Sequence, residues 1–394
     1  MTQGLCILGS TGSIGQNCLR VVDGLTDRFH VVALSAGKNI GVLAAQVARY
    51  HPRIVVVSEA EHKANLRARL QALGYKRRVK IAVGVEGQVG ASTDKAVDFV
   101  VSASHGTTGL VATYEAVRAG KRVGLANKET LVAAGELVMR AAIERDVQVL
   151  PIDSEHCAIH QCLRAGLQKE VKRLILTASG GPFLKTPLHR FESIRPEQAL
   201  RHPVWRMGGR ITIDSATLVN KGLEIIEAHW LFGMASPQID VIIHPESIIH
   251  SMVEFIDGSV MAQLGVPDMR IPIQYALTYP ERMAVTGSGL GLDLNSSGRL
   301  HFRKPDTRRF PSLDLAREAL AQGGIMPCAL NAADEVAVEA FLNNRLPFPA
   351  IPRVIEAVMR QMGPCRTVRS MEDVLQGDRE ARRRAAQVIA GIPA

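Results

Sequence analysis

Residues 4–25 read GLCILGSTGSIGQNCLRVVDGL, and this stretch decides the fold. Its first apolar run, residues 5–8, is typical of a buried strand, and after a loop the apolar residues recur at helical spacing. The loop GSTGSIG, residues 9–15, has the glycine spacing GxxGxxG. Glycines let the backbone approach a pyrophosphate, and a helix N-terminus stabilises its negative charge. The order strand, glycine loop, helix therefore predicts nucleotide binding, with a tight turn that binds no ligand as the alternative.

Short β-like runs alternate with helical patterns as far as residue 150. The runs lie at residues 5–8, 31–34, 54–57, 99–101, 122–125 and 147–150. Such alternation is typical of βαβ units around a parallel sheet. We therefore predict the α/β class, with a Rossmann-like doubly wound parallel sheet at residues 1–150.

The chain after residue 150 has a different pattern. Asp257-Gly258 separates two β-like runs, residues 250–255 and 259–264, and this dipeptide is the strongest short hairpin signal. Beyond Pro311 the pattern is helical to the end. We predict an α+β catalytic domain at 151–287 with a lid loop near 201–209, a connector at 288–311, and a small C-terminal helical domain at 312–394.

The bulk composition excludes several classes of protein. The net charge of +9 suits anionic ligands or nucleic acid, but aromatic residues make up only 4% of the chain and no nucleic-acid-binding motif is present. No apolar run approaches the ~18 residues that span a bilayer, and the N-terminus has no basic leader. The six cysteines form no CxxC pair, which favours free thiols over a zinc or disulfide framework. We expect a cytoplasmic protein that binds neither nucleic acid nor a membrane.

The segment after the second β-like run indicates which dinucleotide binds. Residues 35–39 read SAGKN, where an NAD enzyme usually carries a carboxylate for the ribose hydroxyls. Lys38 and Asn39 could instead hold a 2′-phosphate, which favours NADP over NAD. A solvated lysine in a surface loop is the alternative.

Two acidic segments predict a metal site. In extended backbone, Asp153 and Glu155 would point to the same side and offer oxygen ligands to Mg²⁺ or Mn²⁺. A third ligand is needed, and the segment DSATLVNKGLE, residues 214–224, offers Glu224. We predict that Asp214 or Ser215 caps a helix that runs to about Phe232.

The same helix is expected to be amphipathic. Its predicted buried stripe consists of Val219, Leu223, Ile226 and Trp230. The opposite face brings together Asn220, Lys221 and Glu224. An ordinary solvated face with a Lys/Glu pair is the alternative that spacing alone favours.

Three further segments have the character of ligand-binding loops. Residues 126–129 (ANKE) and 177–182 (TASGGP) each place polar groups after a strand, at the edge of a sheet where ligands bind. Residues 201–209 (RHPVWRMGG) combine a tryptophan with glycines and a proline. We interpret this third segment as a mobile lid, with a surface loop around one packed aromatic as the alternative.

Eight segments occur in one order along the chain: GSTGSIG, AGKN, LANKET, DSEH, TASGGPF, HPVWRMG, DSATLVNKGLE and LGVPDMRIPIQYAL. In this order they resemble the 1-deoxy-D-xylulose 5-phosphate reductoisomerases from residue 5 to the C-terminal domain. The resemblance implies an NADPH- and divalent-metal-dependent enzyme of the methylerythritol phosphate pathway of isoprenoid precursor biosynthesis. It would rearrange and reduce 1-deoxy-D-xylulose 5-phosphate to 2-C-methyl-D-erythritol 4-phosphate, as a homodimer.

The resemblance also implies roles for individual residues. NADPH would contact Thr11, Gly12, Ser13, Ile14, Gly37, Lys38, Asn39, Asn127, Glu129 and Gly208. Mg²⁺ or Mn²⁺ would be bound by Asp153, Glu155 and Glu224. The substrate would be bound through its phosphate by Ser179, Ser215, Asn220 and Lys221, through its carbon chain by Lys128, Ser154 and His202, and under the lid by Trp205 and Met207. Glu155 and Glu224 are also among the implied substrate-binding residues. The residues implied in catalysis are Asp153, Glu155, Glu224, Lys128 and His202.

Two departures from the family pattern stand next to these motifs. Cys157 follows DSEH where the family typically has asparagine, and the segment SHGTT at residues 104–108 replaces a more apolar one. His105 in that segment could affect packing near the nicotinamide. Two other functions remain as alternatives: a simple NADP-dependent dehydrogenase, and an NADPH-sensing protein that has lost catalysis.

Overall fold

A computed structural model describes residues 2–104, 106–201, 208–284, 289–363 and 367–392. Its chain forms two compact units. The first comprises Met1–Thr130, Val138–Cys157 and Asp268–Leu290, and the second comprises Leu131–Leu137, Ala158–Pro267 and Gly291–Ala394. Within the described ranges, no helix is both long and apolar enough to cross a membrane.

The strands and helices follow one another along both units. The strands are β1 (Gln3–Leu8), β2 (Phe29–Ala36), β3 (Ile54–Val57), β4 (Lys80–Val83), β5 (Phe99–Ser102), β6 (Arg122–Leu125), β7 (Val149–Pro151), β8 (Val171–Ala178), β9 (Ile239–Ile243), β10 (Ile249–Phe255) and β11 (Val260–Leu264). The helices are α1 (Ser13–Asp23), α2 (Ile40–Tyr50), α3 (Ala60–Ala72), α4 (Gly84–Ser92), α5 (Leu110–Arg118), α6 (Glu129–Arg145), α7 (Ser154–Cys162), α8 (Pro196–Ala199), α9 (Gly209–Ala216), α10 (Val219–Phe232), α11 (Arg270–Thr278), α12 (Ser312–Gln322), α13 (Met326–Leu342), α14 (Ala350–Met362) and α15 (Met371–Ala390).

The first unit is built on a seven-stranded sheet in the order β4-β3-β2-β1-β5-β6-β7. Every neighbouring pair is parallel. Strands β3 and β5 are buried along their whole length, so they are continuously apolar rather than alternating, as expected when helices cover both faces. The sheet confirms the predicted doubly wound α/β class. Only β4, the short edge strand, was missed among the strands of this unit.

The core of the first unit explains why it includes residues 268–290. The buried face of α1, with Cys18, Val21 and Val22, belongs to the same apolar cluster as Ile273 and Leu277 of α11. Helix α11 therefore packs with the dinucleotide-type sheet, although it lies in the segment 151–287 that was predicted as the catalytic domain. The domain boundaries themselves stay a prediction.

The second unit contains a four-stranded mixed sheet, in the order β11-β10-β8-β9. Strand β10 is antiparallel to β8 and β11, whereas β8 and β9 are parallel. The antiparallel pair β10 and β11 confirms the predicted hairpin around Asp257-Gly258. Helices α12 to α15 follow, which confirms the helical C-terminal region, and α13 packs against both α14 and α15.

Two local predictions were wrong. Residues 153–155 are not extended, because α7 begins at Ser154 and Cys157 N donates to the Asp153 carbonyl over 2.8 Å. Neither Asp214 nor Ser215 caps the helix that ends at Phe232. Both lie in α9, and Leu218 in left-handed backbone (φ 59°) separates α9 from α10.

Candidate active site

The glycine loop joins β1 to α1 in a conformation that requires glycine. Gly9 has φ 81°, and a Cβ there would lie 2.3 Å from the Ala103 carbonyl oxygen. A Cβ on Gly15 would lie 2.5 Å from the Gly9 carbonyl oxygen. Gly12 immediately precedes α1, and among the described residues no side chain caps that helix end. Ser13 and Ile14 thus lie in a first turn whose backbone N–H groups suit a phosphate, as predicted.

The segment after β2 lies beside this loop. Leu8 at the end of β1 pairs with Ser35 near the end of β2, and Gly9 and Ser10 both donate backbone hydrogen bonds to the Ser35 carbonyl. Residues 37–39 follow and are exposed. The Asn39 side chain accepts from Val42 N at 3.3 Å and so caps α2. The exposed Lys38 is the cation within residues 37–39.

Asn127 follows β6 and holds the loop after β5. Its amide nitrogen donates to the Ser104 carbonyl and, at 2.8 Å, to the Gly106 carbonyl. Its amide oxygen accepts from the backbone and hydroxyl of Thr130 at 3.0 and 2.8 Å. These bonds use both amide hydrogens and the oxygen, so the Asn127 side chain fixes the segment that departs from the family pattern. His105 itself lies outside the described residues.

Lys128 and Asp153 form an ion pair in the first unit. Lys128 Nζ lies 2.5 Å from Asp153 Oδ2, and the two side chains are 7% and 13% exposed. The pairing of Leu125 with Pro151 places the ends of β6 and β7 side by side, which brings the two residues together. The ring of His156, which is fully buried, lies 3.8 Å from the same carboxylate oxygen. The sequence motifs assign no role to His156, although its i, i+3 spacing from Asp153 in a helix would have pointed to it.

Ser154, Glu155 and Glu129 lie in first turns of helices at this edge. The Ser154 hydroxyl donates to Glu155 Oε2 at 2.5 Å in α7, and Glu129 begins α6. The ends of β2, β1, β5, β6 and β7 are adjacent through the pairs Leu8–Ser35, Leu8–Ser102, Ser102–Leu125 and Leu125–Pro151. One edge of the sheet therefore carries the predicted cofactor segments at residues 9–15, 37–39 and 127–129 and the predicted carboxylates at residues 153–155.

The loop after β8 is packed against the end of α9 in the second unit. Gly180 and Gly181 both have positive φ, 85° and 68°, and a Cβ on Gly181 would lie 2.7 Å from the Ser215 carbonyl oxygen. The Ser179 hydroxyl accepts from Gly181 N at 3.3 Å inside this loop. Two of the four predicted phosphate-binding residues, Ser179 and Ser215, thus lie on segments in direct contact.

The first turn of α10 contains the other two. Asn220 Nδ2 donates to Glu224 Oε1 at 2.5 Å, and Lys221 Nζ donates to Glu224 Oε2. Lys221 is 3% exposed and Glu224 is fully buried, so the alternative of a solvated helix face is wrong. The predicted apolar stripe is confirmed at Val219, Leu223 and Ile226, whereas Trp230 is only half-buried.

The lid residues are only partly described. His202, Trp205 and Met207 lie outside the described residues. Gly208 is described and immediately precedes α9, where its carbonyl accepts from the backbone and hydroxyl of Thr212 at 3.2 and 2.9 Å.

The fold and the sheet edge together define a class of protein. The sheet is parallel and doubly wound, and a glycine loop follows the carboxyl end of β1. After β2 there is a lysine where an NAD enzyme usually has a carboxylate. These features are typical of NADP-dependent oxidoreductases. Comparison with known proteins then gives the family. Three family models match: 1-deoxy-D-xylulose 5-phosphate reductoisomerase at residues 5–135, the C-terminal domain of that enzyme at 149–232, and the DXP reductoisomerase C-terminal domain at 264–384.

Whole-chain relatives agree with these models. The 1-deoxy-D-xylulose 5-phosphate reductoisomerase of Prosthecochloris aestuarii is 51% identical, covering 97% of this chain and 98% of its own length. That of Pelotomaculum thermopropionicum is 49% identical, covering 98% of each chain. The Zymomonas mobilis enzyme, solved in complex with NADPH, superposes with a TM-score of 0.91 at 40% identity over 100% of both chains. A reductoisomerase solved with NADPH, fosmidomycin and magnesium gives 0.92 at 40% identity over 98% of each chain. The chain belongs to the 1-deoxy-D-xylulose 5-phosphate reductoisomerase family.

Proposed function

We propose that the protein converts 1-deoxy-D-xylulose 5-phosphate to 2-C-methyl-D-erythritol 4-phosphate with NADPH and Mg²⁺ or Mn²⁺. The reaction joins an isomerisation of the carbon skeleton to a two-electron reduction of the resulting aldehyde. The observation that carries this proposal is the Lys128–Asp153 pair, at the sheet edge that also bears the glycine loop. A proposed metal ligand thus lies at the same edge of the sheet as the proposed cofactor segments, as a metal-dependent reductoisomerase requires.

The donor atoms suit a hard divalent cation. Asp153, Glu155 and Glu224 would hold it through carboxylate oxygens, the ligands that Mg²⁺ and Mn²⁺ prefer. The buried Glu224 is already oriented by Asn220 and Lys221. When bound, the cation would supply stabilisation of negative charge on the substrate's ketone and hydroxyl oxygens. Lys128 Nζ, 2.5 Å from Asp153 Oδ2, would orient that carboxylate.

The first sheet edge suits NADPH. Backbone N–H groups at Thr11, Ser13 and Ile14 would meet the pyrophosphate, and Gly37, Lys38 and Asn39 the 2′-phosphate. Gly12 would line the pyrophosphate with its backbone, because its own N–H donates to the Gly9 carbonyl at 3.1 Å. When bound, the cofactor would supply the hydride. Asn127 would act mainly by fixing the loop at Ser104 and Gly106, because its amide is engaged there. Glu129 and Gly208 complete the proposed contacts.

The second unit would bind the substrate's phosphate. Ser179, Ser215, Asn220 and Lys221 lie on two contacting segments and one helix turn, and they offer hydroxyl, amide and ammonium donors. Binding energy from this phosphate, remote from the reacting carbons, can be used to position the substrate. Ser154 and His202 would contact the carbon chain, and Trp205 and Met207 would exclude water from it.

One assay separates this function from its two alternatives. NADPH oxidation is followed with 1-deoxy-D-xylulose 5-phosphate and Mn²⁺, with an EDTA control, and the product is identified by NMR. We expect metal-dependent NADPH loss and the branched product. NADPH loss without skeletal rearrangement would instead indicate a simple dehydrogenase, and no substrate-dependent loss would indicate a sensor.

A variant tests the metal role in the same assay. Glu224→Gln should abolish turnover and leave NADPH binding nearly intact, because it removes one ligand charge from the second unit. Glu318→Gln, an exposed carboxylate on α12 of the same unit, is the matched control. Near-wild-type turnover of Glu224→Gln would contradict the proposed metal ligands.

We also propose that the enzyme is a cytoplasmic homodimer. The described cysteines, Cys6, Cys18, Cys157, Cys162 and Cys328, are free and buried, as suits a reducing compartment. Strand β11 is an edge strand with Val260, Met261 and Leu264 exposed, and such edges offer backbone groups to a partner strand. Sedimentation analysis tests the dimer, and a monomer at assay concentration would contradict it.

A further inference from the structure

We propose that Arg309 is a positioning residue for substrate binding: it holds the loop that carries Ser179 in place. This inference rests on the proposed function, because it assumes that Ser179 meets the substrate's phosphate. Arg309 lies in the connector just before α12, a region to which no sequence motif assigns a role.

The guanidinium of Arg309 donates to three carbonyls of one loop. Nη2 donates to the Phe183 carbonyl at 2.9 Å and to the Thr186 carbonyl, and Nη1 donates to the Leu184 carbonyl at 3.1 Å. This loop begins with Ser179-Gly180-Gly181 and has no regular secondary structure of its own. A single side chain therefore binds three backbone carbonyls of this loop, of which the Phe183 carbonyl also accepts from Thr186 N at 3.0 Å.

Two aromatic rings fix the guanidinium itself. Its central carbon lies 5.6 Å from the ring centroid of Phe191 and 5.2 Å from that of Phe310. Planar cations are attracted to aromatic faces, and arginine offers several donors in a rigid fork. The arrangement thus needs arginine, because a lysine at this position offers a point charge and cannot reach three carbonyls with fixed geometry.

The loop also contacts a second element. Gly181 approaches the backbone of Ser215 and Ala216 so closely that a Cβ would lie 2.7 Å from the Ser215 oxygen. The chain continues from Arg309 into α12, whose Ser312 carbonyl and Ala316 methyl lie against Gly222 of α10. Arg309 therefore links the Ser179 loop to the helix that supports α10, and α10 carries Asn220 and Lys221.

The consequence for catalysis is specific. When Arg309 is lost, the Ser179 loop can relax away from Ser215, which weakens phosphate binding without touching the nucleotide edge of the first unit. We expect the KM for 1-deoxy-D-xylulose 5-phosphate to rise about tenfold, equivalent to about 1.4 kcal/mol. The KM for NADPH should stay within about twofold, since no cofactor contact is involved.

The experiment compares Arg309→Met with Arg308→Met by steady-state kinetics in both substrates. Arg308 is the matched control, because it is the adjacent arginine, is exposed, and loses the same charge. Arg309→Lys keeps the charge and the stem, so it remains informative if Arg309→Met does not fold. The proposal expects a raised sugar-phosphate KM in both Arg309 variants, smaller in Arg309→Lys, and none in Arg308→Met.

Two results would overturn the proposal. One is the same KM for 1-deoxy-D-xylulose 5-phosphate in the Arg309 and Arg308 variants. The other is a parallel loss of kcat and of NADPH affinity together with a lowered Tm, which a merely structural role would give. Ser179→Ala separates the proposal from its basis. If Ser179→Ala leaves the KM for 1-deoxy-D-xylulose 5-phosphate unchanged, the proposed phosphate role of the loop is wrong. If Ser179→Ala raises this KM but the Arg309 variants do not, only the positioning role of Arg309 is refuted.

Discussion

Lys128 Nζ and Asp153 Oδ2 lie 2.5 Å apart, at the ends of neighbouring strands and with little exposure to solvent. Burying two charges is costly, so such a pair is weak evidence for stability. The ammonium group of Lys128 holds in place a carboxylate that we propose as a metal ligand. Removing the carboxylate should therefore affect metal binding before it affects the cofactor.

Asp153→Asn is expected to raise the dissociation constant for Mn²⁺ by at least about tenfold. Even the loss of a residue that only orients a metal ligand weakens metal binding about 10- to 100-fold. The amide keeps the size of the side chain but removes the ligand charge. Mn²⁺ binding is measured by electron paramagnetic resonance, and NADPH binding by fluorescence, where no change is expected. Asp146→Asn, an exposed carboxylate of the same unit, serves as the control. Unchanged Mn²⁺ affinity in Asp153→Asn would remove this residue from the metal site.

Lys38→Ala is expected to raise the KM for NADPH by about tenfold or more, because a charge-assisted bond to the 2′-phosphate is lost. The KM for NADH should hardly change, since that cofactor has no 2′-phosphate. The ratio of the two KM values is the measurement. Lys76→Ala removes another exposed lysine of the same unit and should leave the ratio as it is. A similar rise for both cofactors would mean that Lys38 does not read the 2′-phosphate.

Much of the fold can be predicted from the sequence because it depends on local patterns. Strands β3 and β6 were predicted at their observed bounds and β1, β2 and β5 close to theirs, since β-branched runs between glycine-rich turns mark buried parallel strands. Strand β4 was missed because Lys80–Val83 is a short edge strand whose side chains are not fully buried. The packing of α11 against α1 could not be foreseen, because it depends on contacts between residues far apart in the chain.

The site was harder to predict than the fold. The break at Leu218 has no sequence signal, because left-handed backbone is rare outside glycine and asparagine. Spacing alone favoured a solvated face for Lys221 and Glu224, yet tertiary packing buries both. Helical periodicity placed these residues on one face, but only the family resemblance gave them a role in binding metal and phosphate. Arg309 shows the converse, because its proposed role follows from contacts that no sequence motif indicates.

A buried ion network in the second unit makes stability depend on pH. Arg210 on α9 donates to Glu335 at 2.7 Å and to Asn331 at 2.9 Å on α13, and it lies 3.3 Å from Asp334. Burial raises the pKa of Asp334 to about 6, against the opposing effect of Arg210. The folded protein thus binds this proton more tightly than the unfolded chain does, so the free energy of unfolding should fall as the pH rises from about 4 to about 6.

Asp334→Asn should remove that part of the pH dependence. Its amide cannot ionise, so the variant should be at least as stable as the wild type above pH about 6, and the difference should shrink toward pH about 4. Urea denaturation at several pH values gives the comparison. Asp314→Asn, an exposed carboxylate on α12, should follow the wild-type profile. A variant that is less stable than the wild type at every pH would show that Asp334 is ionised in the folded protein.

Gly181→Ala tests how closely the Ser179 loop must approach α9. Gly181 has φ 68°, and an added Cβ would lie 2.7 Å from the Ser215 carbonyl oxygen and 3.0 Å from the Ala216 Cα. Gly258, in the β10–β11 turn, has φ 86°, and a Cβ added there would have no neighbouring atom within 4 Å among the described residues. Both substitutions incur the same left-handed backbone cost of about 1–2 kcal/mol, but only the first forces two backbone segments apart.

The two alanine variants should therefore differ in their kinetics. We expect Gly258→Ala to lower the Tm slightly and to leave kinetics unchanged. Gly181→Ala should raise the KM for 1-deoxy-D-xylulose 5-phosphate by about tenfold, as if one hydrogen bond to the phosphate were lost. Its NADPH KM should stay at the wild-type value, because the glycine loop of the first unit is untouched. Equal kinetics for both variants would mean that the contact between the Ser179 loop and Ser215 does not shape the phosphate site.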